Sequence, residues 1–449
     1  MPARRGTPSW ALRRTGKVVV AGGGPAAISA VEELRARGFV GGITVLCGEP
    51  TPPYDRTECS KGLIDGHRRP ADAALTLPTG AHWRLGERAV EVDPVLRVVT
   101  SSAGTDYRYD GLVIATGTRS DIPEGWPVDG AGVFQLRTVN DALAIRRAMR
   151  GAGKVAIIGG GLTGCELACG VLQTAREAVI VDGHRTLLGD AVGAELGALV
   201  TSEHRTAGIE TVLGRAVTDI GRRGGRFRLR LDDGDTVSAD MVVLAAGQTP
   251  DTGWLDGTGF DLADGVLCDE ALRVVGGDGT VVAAGAVARW PNLRYGAAAS
   301  RSGHWVAAME QGCAAARTLL AGDDNAEPFT LVPRYSSHQY RLRLQVAGRP
   351  DLADDVRLAR LRQGRHGPAR AGVVATYHRD ERLVGVAAIN APGQFGAAVR
   401  SHYAEGLDVT LIADMVAAAE AAEAEAAEAA RVAAPRIEEV VGDFAYASV

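Results

Sequence analysis

Residues 157–166 read IIGGGLTGCE, an apolar strand end running into a glycine turn and then into a helix. A strand over 154–158 precedes the turn, Gly159, Gly161 and Gly164 complete GxGxxG, and a helix over 165–173 follows. In this pattern the first glycine permits the tight turn, and the second lets the backbone approach a pyrophosphate. The third lets helix and strand pack closely, and the helix N-terminus aims N–H groups at the phosphates. The next strand, 178–181, closes on Asp182, where a carboxylate accepts from a ribose 2′-hydroxyl and repels a 2′-phosphate. NADH is therefore expected and NADPH is the less favoured donor, although Arg185 just beyond would partly compensate a phosphate. The expected NAD contacts are Gly159, Gly161, Leu162, Thr163, Gly164, Glu166, Asp182, Arg185 and, at the end of a later strand (241–247, MVVLAAG), Gly247. Glu166 is expected in the first helical turn, where its charge suits the helix dipole.

This is the second such unit. Residues 17–34 (KVVVAGGGPAAISAVEEL) carry a first strand, the glycines Gly22 and Gly24, and Ala27 in place of the third glycine, with a helix over 27–37. Two dinucleotide turns in one chain imply two nucleotide cofactors held so that one reduces the other. Gly22, Gly24, Pro25, Ala26 and Ala27 form the first expected phosphate cradle. A strand over 43–47 follows, and Glu49 beyond its end is a candidate acceptor for adenosine ribose hydroxyls.

Length and composition bound what else the chain can be. At 449 residues it exceeds one ordinary core, and a net charge of -5 favours neither nucleic acid nor a membrane surface. No apolar run approaches the roughly 20 residues of a spanning helix. The arginine-bearing start lacks an apolar core segment and does not read as a secretory signal. Six scattered cysteines show neither metal-ligand nor disulfide-framework spacing, so no metal site and a cytoplasmic setting are expected. Lysine occurs only at Lys17, Lys61 and Lys154, which makes a loop lysine such as Lys61 chemically conspicuous.

Residues 53–61, PYDRTECSK, resemble the PYDRPPLSK stretch of the oxygenase-coupled ferredoxin reductases, FAD enzymes of the pyridine nucleotide-disulfide oxidoreductase superfamily that pass electrons from NADH to small iron–sulfur proteins. The resemblance extends over about 17–406 through YDGLVIATG (109–117), FQLRT (134–138), GHW and EQG (303–305, 310–312), RYSSHQYRLRLQVAG (334–348) and NAP (390–392). It implies that Lys61 lies at the reactive edge of the flavin, that Glu166 points toward nicotinamide and flavin and pairs with Lys61, and that Arg56, Ala89, Ala115, Thr116, Gly117, Arg137, Gly285 and Trp305 contact FAD. Departures fall on flavin-lining positions: 57–59 are Thr-Glu-Cys, Ala286 replaces an aspartate that bonds the ribityl chain, Gly303 replaces a glutamate, and Ser336 replaces a tryptophan beside His338, itself in place of an acid. Losing one charge-assisted hydrogen bond at Ala286 costs about 1.5 to 3 kcal/mol of FAD binding.

The expected fold is α/β, with two Rossmann-like domains for FAD and NAD and a small α+β C-terminal domain. The expected division is a disordered arm (1–15), an FAD-binding domain (16–120 and 245–325), an NAD-binding domain (121–244), a reductase-type C-terminal domain (326–410) and an Ala/Glu-rich helix and tail (411–449). The partner implied is an acidic [2Fe–2S] ferredoxin or similar redox protein, docked on Arg334, Arg341, Arg343 and Arg349 of a monomer or homodimer. Two alternatives stand beside it. One is direct action on a small-molecule or disulfide substrate, over Ser336 and His338 or through Cys59 as a redox cysteine. The other is a dinucleotide-binding scaffold of low turnover.

Overall fold

The computed structural model describes residues 12–128, 130–174, 176–296, 298–322, 325–361 and 372–403. Most of the expected N-terminal arm and the whole Ala/Glu-rich tail lie outside the described residues.

The two glycine turns sit in two parallel sheets of the same design. In the first, β1 (Lys17–Ala21) lies between Gly42–Cys47 and Gly111–Ile114, with His82–Leu85 and Val281–Ala283 at the edges. In the second, β2 (Lys154–Ile158) lies between Glu177–Asp182 and Met241–Leu244, flanked by Glu210–Leu213 and Val133–Gln135. After its first residue each central strand is buried throughout, the mark of a parallel sheet covered on both faces. The helices α1 (Pro25–Ala36) and α2 (Leu162–Gln173) follow the turns.

Both turns are glycine for a steric reason. Gly22 has φ of +123°, and a Cβ there would stand 2.1 Å from the Ala115 carbonyl oxygen at the end of the neighbouring strand. Gly159, at φ +112°, is caught in the same way, 2.8 Å from the Ala245 oxygen. The AxG segments 115–117 and 245–247 are thus equivalent parts of the two units, and the chain crosses between the sheets after each, on an antiparallel ribbon of Thr118–Ser120 and Gln248–Pro250. The first sheet is closed on one face by α3 (Trp305–Ala321), which meets α1 so tightly that a Cβ on Gly312 would lie 2.2 Å from the Ala26 oxygen.

The C-terminal sheet is antiparallel. Its hairpin of β3 (Arg334–Gln339) and β4 (Leu342–Gly348) pairs onward with Arg382–Ile389, Val373–Arg379 and Asp355–Arg360. It is anchored on the second dinucleotide unit, where Tyr377 donates its hydroxyl to the Val192 oxygen at 2.5 Å and Tyr335 donates to the Ala191 oxygen at 3.2 Å.

Two local expectations change. Ala89, which the sequence reading puts at the end of a strand, instead opens one (Ala89–Asp93), because the chain turns at 86–88 before it pairs with Val98–Ser101. The helix after the second turn begins at Leu162, capped by Gly161, so Glu166 stands in its second turn and its dipole explanation falls away. Residues 54–73, contiguous in sequence with the first unit, bury Tyr54, Cys59, Leu63 and Ile64 in the same core as Phe134, Ile145, Leu167 and Tyr377.

Candidate functional site

That shared core decides where Lys61 goes. Ile64 packs on α2 at Gly170, where a Cβ would meet its side chain at 2.9 Å, and this contact carries the loop before it onto the start of the helix. Lys61 Nζ then lies 2.9 Å from Glu166 Oε2 and donates at 3.0 Å to the Thr57 oxygen. Glu166 is only 7% exposed, and a buried carboxylate needs donors. Ser60 Oγ donates to Oε2 at 2.5 Å, and Ser337 Oγ, from β3, donates to Oε1 at 2.5 Å. Behind it Gln339 Nε2 donates to Ser337 Oγ at 3.0 Å. Ser60 and Ser337 escaped sequence reasoning; the signal available was their place inside the SK and SHQ runs of the matched motifs.

The two helix N-termini are built to receive anions. Neither α1 nor α2 has a side-chain cap, so their first N–H groups have no side-chain acceptor, and beside both Gly24 and Gly161 there is open space where a Cβ would point. Pro25 opens α1, Ala26 and Ala27 are buried behind it, and Leu162 and Thr163 open α2 before Gly164, which touches the Gly159 oxygen. Asp182 closes its strand with Oδ2 accepting from Gly160 N and Oδ1 accepting at 2.6 Å from His184 N. The His184 ring bridges Asp182 (2.8 Å) to Asp190 (3.0 Å), while Arg185 is exposed. Gly247 holds φ of +69° against Asp121.

Around the first unit, Glu49 is already engaged: Tyr54 donates to one oxygen at 2.7 Å and Arg56 to the other at 2.5 Å. This follows from its place beyond the strand end, within reach of the 54–56 loop, and it leaves the expected ribose acceptor with both oxygens in use. Arg56 also donates to the Arg137 oxygen at 2.7 Å. Arg137 donates Nε to the Thr118 oxygen and ion-pairs with no carboxylate among the described residues. Burial, with Arg56 alongside, lowers the Arg137 guanidinium to about 10. Two clustered cations with one carboxylate, held by Arg56, between them, an uncapped helix end and open space at Gly24 suit a dianionic pyrophosphate, so the residues present fit FAD.

At the far side, Gly285 N donates to Gln311 Oε1 at 2.7 Å, whereas the buried Gln311 Nε2 has no partner among the described residues. Ala286 offers no side-chain bond, but its carbonyl accepts from Arg301 at 3.2 Å. Ala115, Thr116 and Gly117 line the crossing, with the Thr116 hydroxyl given to the Asp251 oxygen at 2.7 Å. Trp305 begins α3 after His304, whose ring stacks on Tyr335 at 4.1 Å. On β3, Ser336 and His338 point outward, exposed, while Ser337 and Gln339 point inward. Cys59 is 3% exposed and burial pushes its thiol up to about 12, so at neutral pH it is a packed thiol without a nucleophilic thiolate. Of the four arginines expected to dock a partner, Arg334 pairs with Glu310 and Arg349 with Asp351, leaving Arg341 and Arg343 exposed.

Residues 16–312 match the family model of pyridine nucleotide-disulphide oxidoreductases, and residues 335–424 match the reductase C-terminal model. The chain is 32% identical over 392 residues to the ferredoxin–NAD(+) reductase component of the anthranilate 1,2-dioxygenase system of Burkholderia cepacia, covering 85% of this chain and 93% of that one. The chain belongs to the pyridine nucleotide-disulphide oxidoreductases, in the ferredoxin reductase branch. It is 30% identical to the probable ferredoxin reductase CtmF of Castellaniella defragrans, with 85% of this chain and 92% of that one covered. The reductase also shares its fold with the crystallised covalent complex of putidaredoxin reductase and putidaredoxin, at a TM-score of 0.79 and 23% identity over 90% of this chain and 99% of that one. It is thus an FAD-dependent oxidoreductase of the NAD(P)H-using kind. None of its described helices is long and apolar enough to cross a membrane, and the described residues hold no cluster of three or more metal-ligating side chains.

Proposed function

We propose that this reductase takes hydride from NADH and delivers electrons one at a time to an acidic [2Fe–2S] ferredoxin or similar redox protein. The observation that carries the reading is the Lys61–Glu166 pair, a partly exposed lysine on a buried carboxylate, which joins the PYDR…SK loop to the helix of the second glycine turn. Bound FAD would supply the conversion of a two-electron donor into single electrons. Lys61 holds a fixed positive charge for the reduced state and Glu166 orients it. Gly22, Gly24 and the α1 N-terminus, with Arg56 and Arg137, hold the FAD pyrophosphate; Gly159, Gly161 and the α2 N-terminus hold that of NADH. Asp182 disfavours a 2′-phosphate, because a second anion beside its carboxylate is repelled. The sheet compositions support a division into an FAD unit (16–120 and 245–325), an NAD unit (121–244) and a C-terminal unit (326–410). Arg341 and Arg343, exposed on the hairpin of the C-terminal unit, supply positive charge for an acidic partner.

A second reading is favoured by one observation: Ser336 and His338 stand exposed side by side on the outer face of β3, where a small acceptor could reach them. Anaerobic stopped-flow of FAD-loaded protein with NADH and then with a [2Fe–2S] ferredoxin separates the two. Flavin bleaching followed by fast reoxidation by ferredoxin supports electron transfer to a protein. Bleaching without reoxidation shifts the assignment to a small-molecule acceptor, and absence of bleaching leaves only a dinucleotide-binding scaffold.

A further inference from the structure

Glu166 receives its donors asymmetrically. Lys61 and Ser60 both serve Oε2, and among the described residues Ser337 alone serves Oε1. A serine hydroxyl has one proton to give. The Gln339 Nε2 donated into Ser337 Oγ occupies an acceptor position there, which directs that one proton at Glu166. Ser337 is fully buried and Gln339 is 1% exposed, so water does not replace either. The two residues alternate with Ser336 and His338 along β3, so a single strand of the C-terminal domain presents its inner face to Glu166 and its outer face to solvent.

We propose that Ser337 is a positioning residue for hydride transfer, acting through Glu166 from the C-terminal domain; this rests on the role given above to Lys61 and Glu166. By holding Oε1, Ser337 fixes the rotation of the carboxylate and withdraws charge from Oε2. Lys61 is then less neutralised by its partner and keeps more of its field for the reduced cofactor. Without Ser337 the carboxylate keeps only the donors on Oε2, Lys61 and Ser60, and leans more heavily on Lys61.

The test compares Ser337→Ala and Ser337→Thr in the full chain. Hydrogen bonds to charged groups are worth roughly tenfold or more in an equilibrium, so Ser337→Ala is expected to slow flavin reduction by NADH about tenfold with little change in KM. It is also expected to lower the flavin midpoint potential by about 30 mV, the two-electron equivalent of that factor. The readout independent of turnover is the infrared carboxylate stretch of Glu166 in cofactor-free protein, identified by its loss in Glu166→Gln. Its position should shift in Ser337→Ala and return in Ser337→Thr. An unshifted carboxylate band in Ser337→Ala overturns the proposal, as does a slowed Ser337→Thr with its band intact, which would mark a merely structural role. Should NADH fail to reduce even the unaltered protein, the reading of the reaction fails while the infrared comparison still decides whether Ser337 orders Glu166.

Discussion

Single residues carry the chemistry and the clearest departures. Ala286 lacks the carboxylate that the resemblance implies for the ribityl chain, and among the described residues its bond runs through its backbone carbonyl. Ala286→Asp is expected to tighten FAD binding about tenfold, the lower end of a charge-assisted hydrogen bond; fluorescence titration of the cofactor-free protein measures it, and unchanged affinity would refute a deficit at this position. His304 gives a pH signature. Burial lowers its imidazole to about 4 from 6.5 in the unfolded chain, so the unfolded state binds the extra proton between those values. Stability is therefore full above about 6.5 and declines as pH falls toward about 4. His304→Phe keeps a ring on Tyr335 without the titration, and its melting temperature should change less with pH across that window. Lys61 and Glu166 were legible as individual sequence positions. Ser60, Ser337 and Gln339 were not, because their place inside the matched motifs marks them without giving a role, and the role appears only when a buried charge is placed against them.

The glycine-turn helices permit a sharper contrast. A Cβ on Gly164 would lie 1.9 Å from the Gly159 oxygen, whereas beside Gly161 there is no protein atom within 4 Å. Gly164→Ala should therefore destabilise the fold by about 1 to 3 kcal/mol as an overpacked contact, lowering the melting temperature. Gly161→Ala should melt normally, since its φ of -75° suits any residue, yet raise KM for NADH tenfold or more by filling the space kept for phosphate. Equal melting temperatures for the two variants would contradict this division. At this scale the sequence was most readable: two strand–glycine–helix units have their own spacing. Its error lay at a boundary, where starting α2 at Leu162 moved Glu166 from the first turn to the second, where it is buried.

For the whole molecule, the charge facing a partner depends on what the fold leaves unpaired. Arg334 and Arg349 are engaged with Glu310 and Asp351, so the docking charge proposed above rests on Arg341 and Arg343. Reversing both to glutamate should cut the rate of ferredoxin reduction at least tenfold at low ionic strength, with the difference shrinking as salt rises. NADH-driven ferricyanide reduction serves as the control for cofactor function, and an equal loss there would show that the arginines act on the fold rather than on docking. The sequence by itself determined the two dinucleotide units, their order and the family, because glycines at fixed spacing after apolar strands mark a turn whose positive φ and close backbone approach only glycine permits. Only the tertiary structure decided that residues 54–73 desert the sheet they follow and that Ser60 and Ser337 join the Lys61–Glu166 pair the resemblance implied. Those contacts depend on burial and on partners far apart in sequence, and no local pattern encodes them.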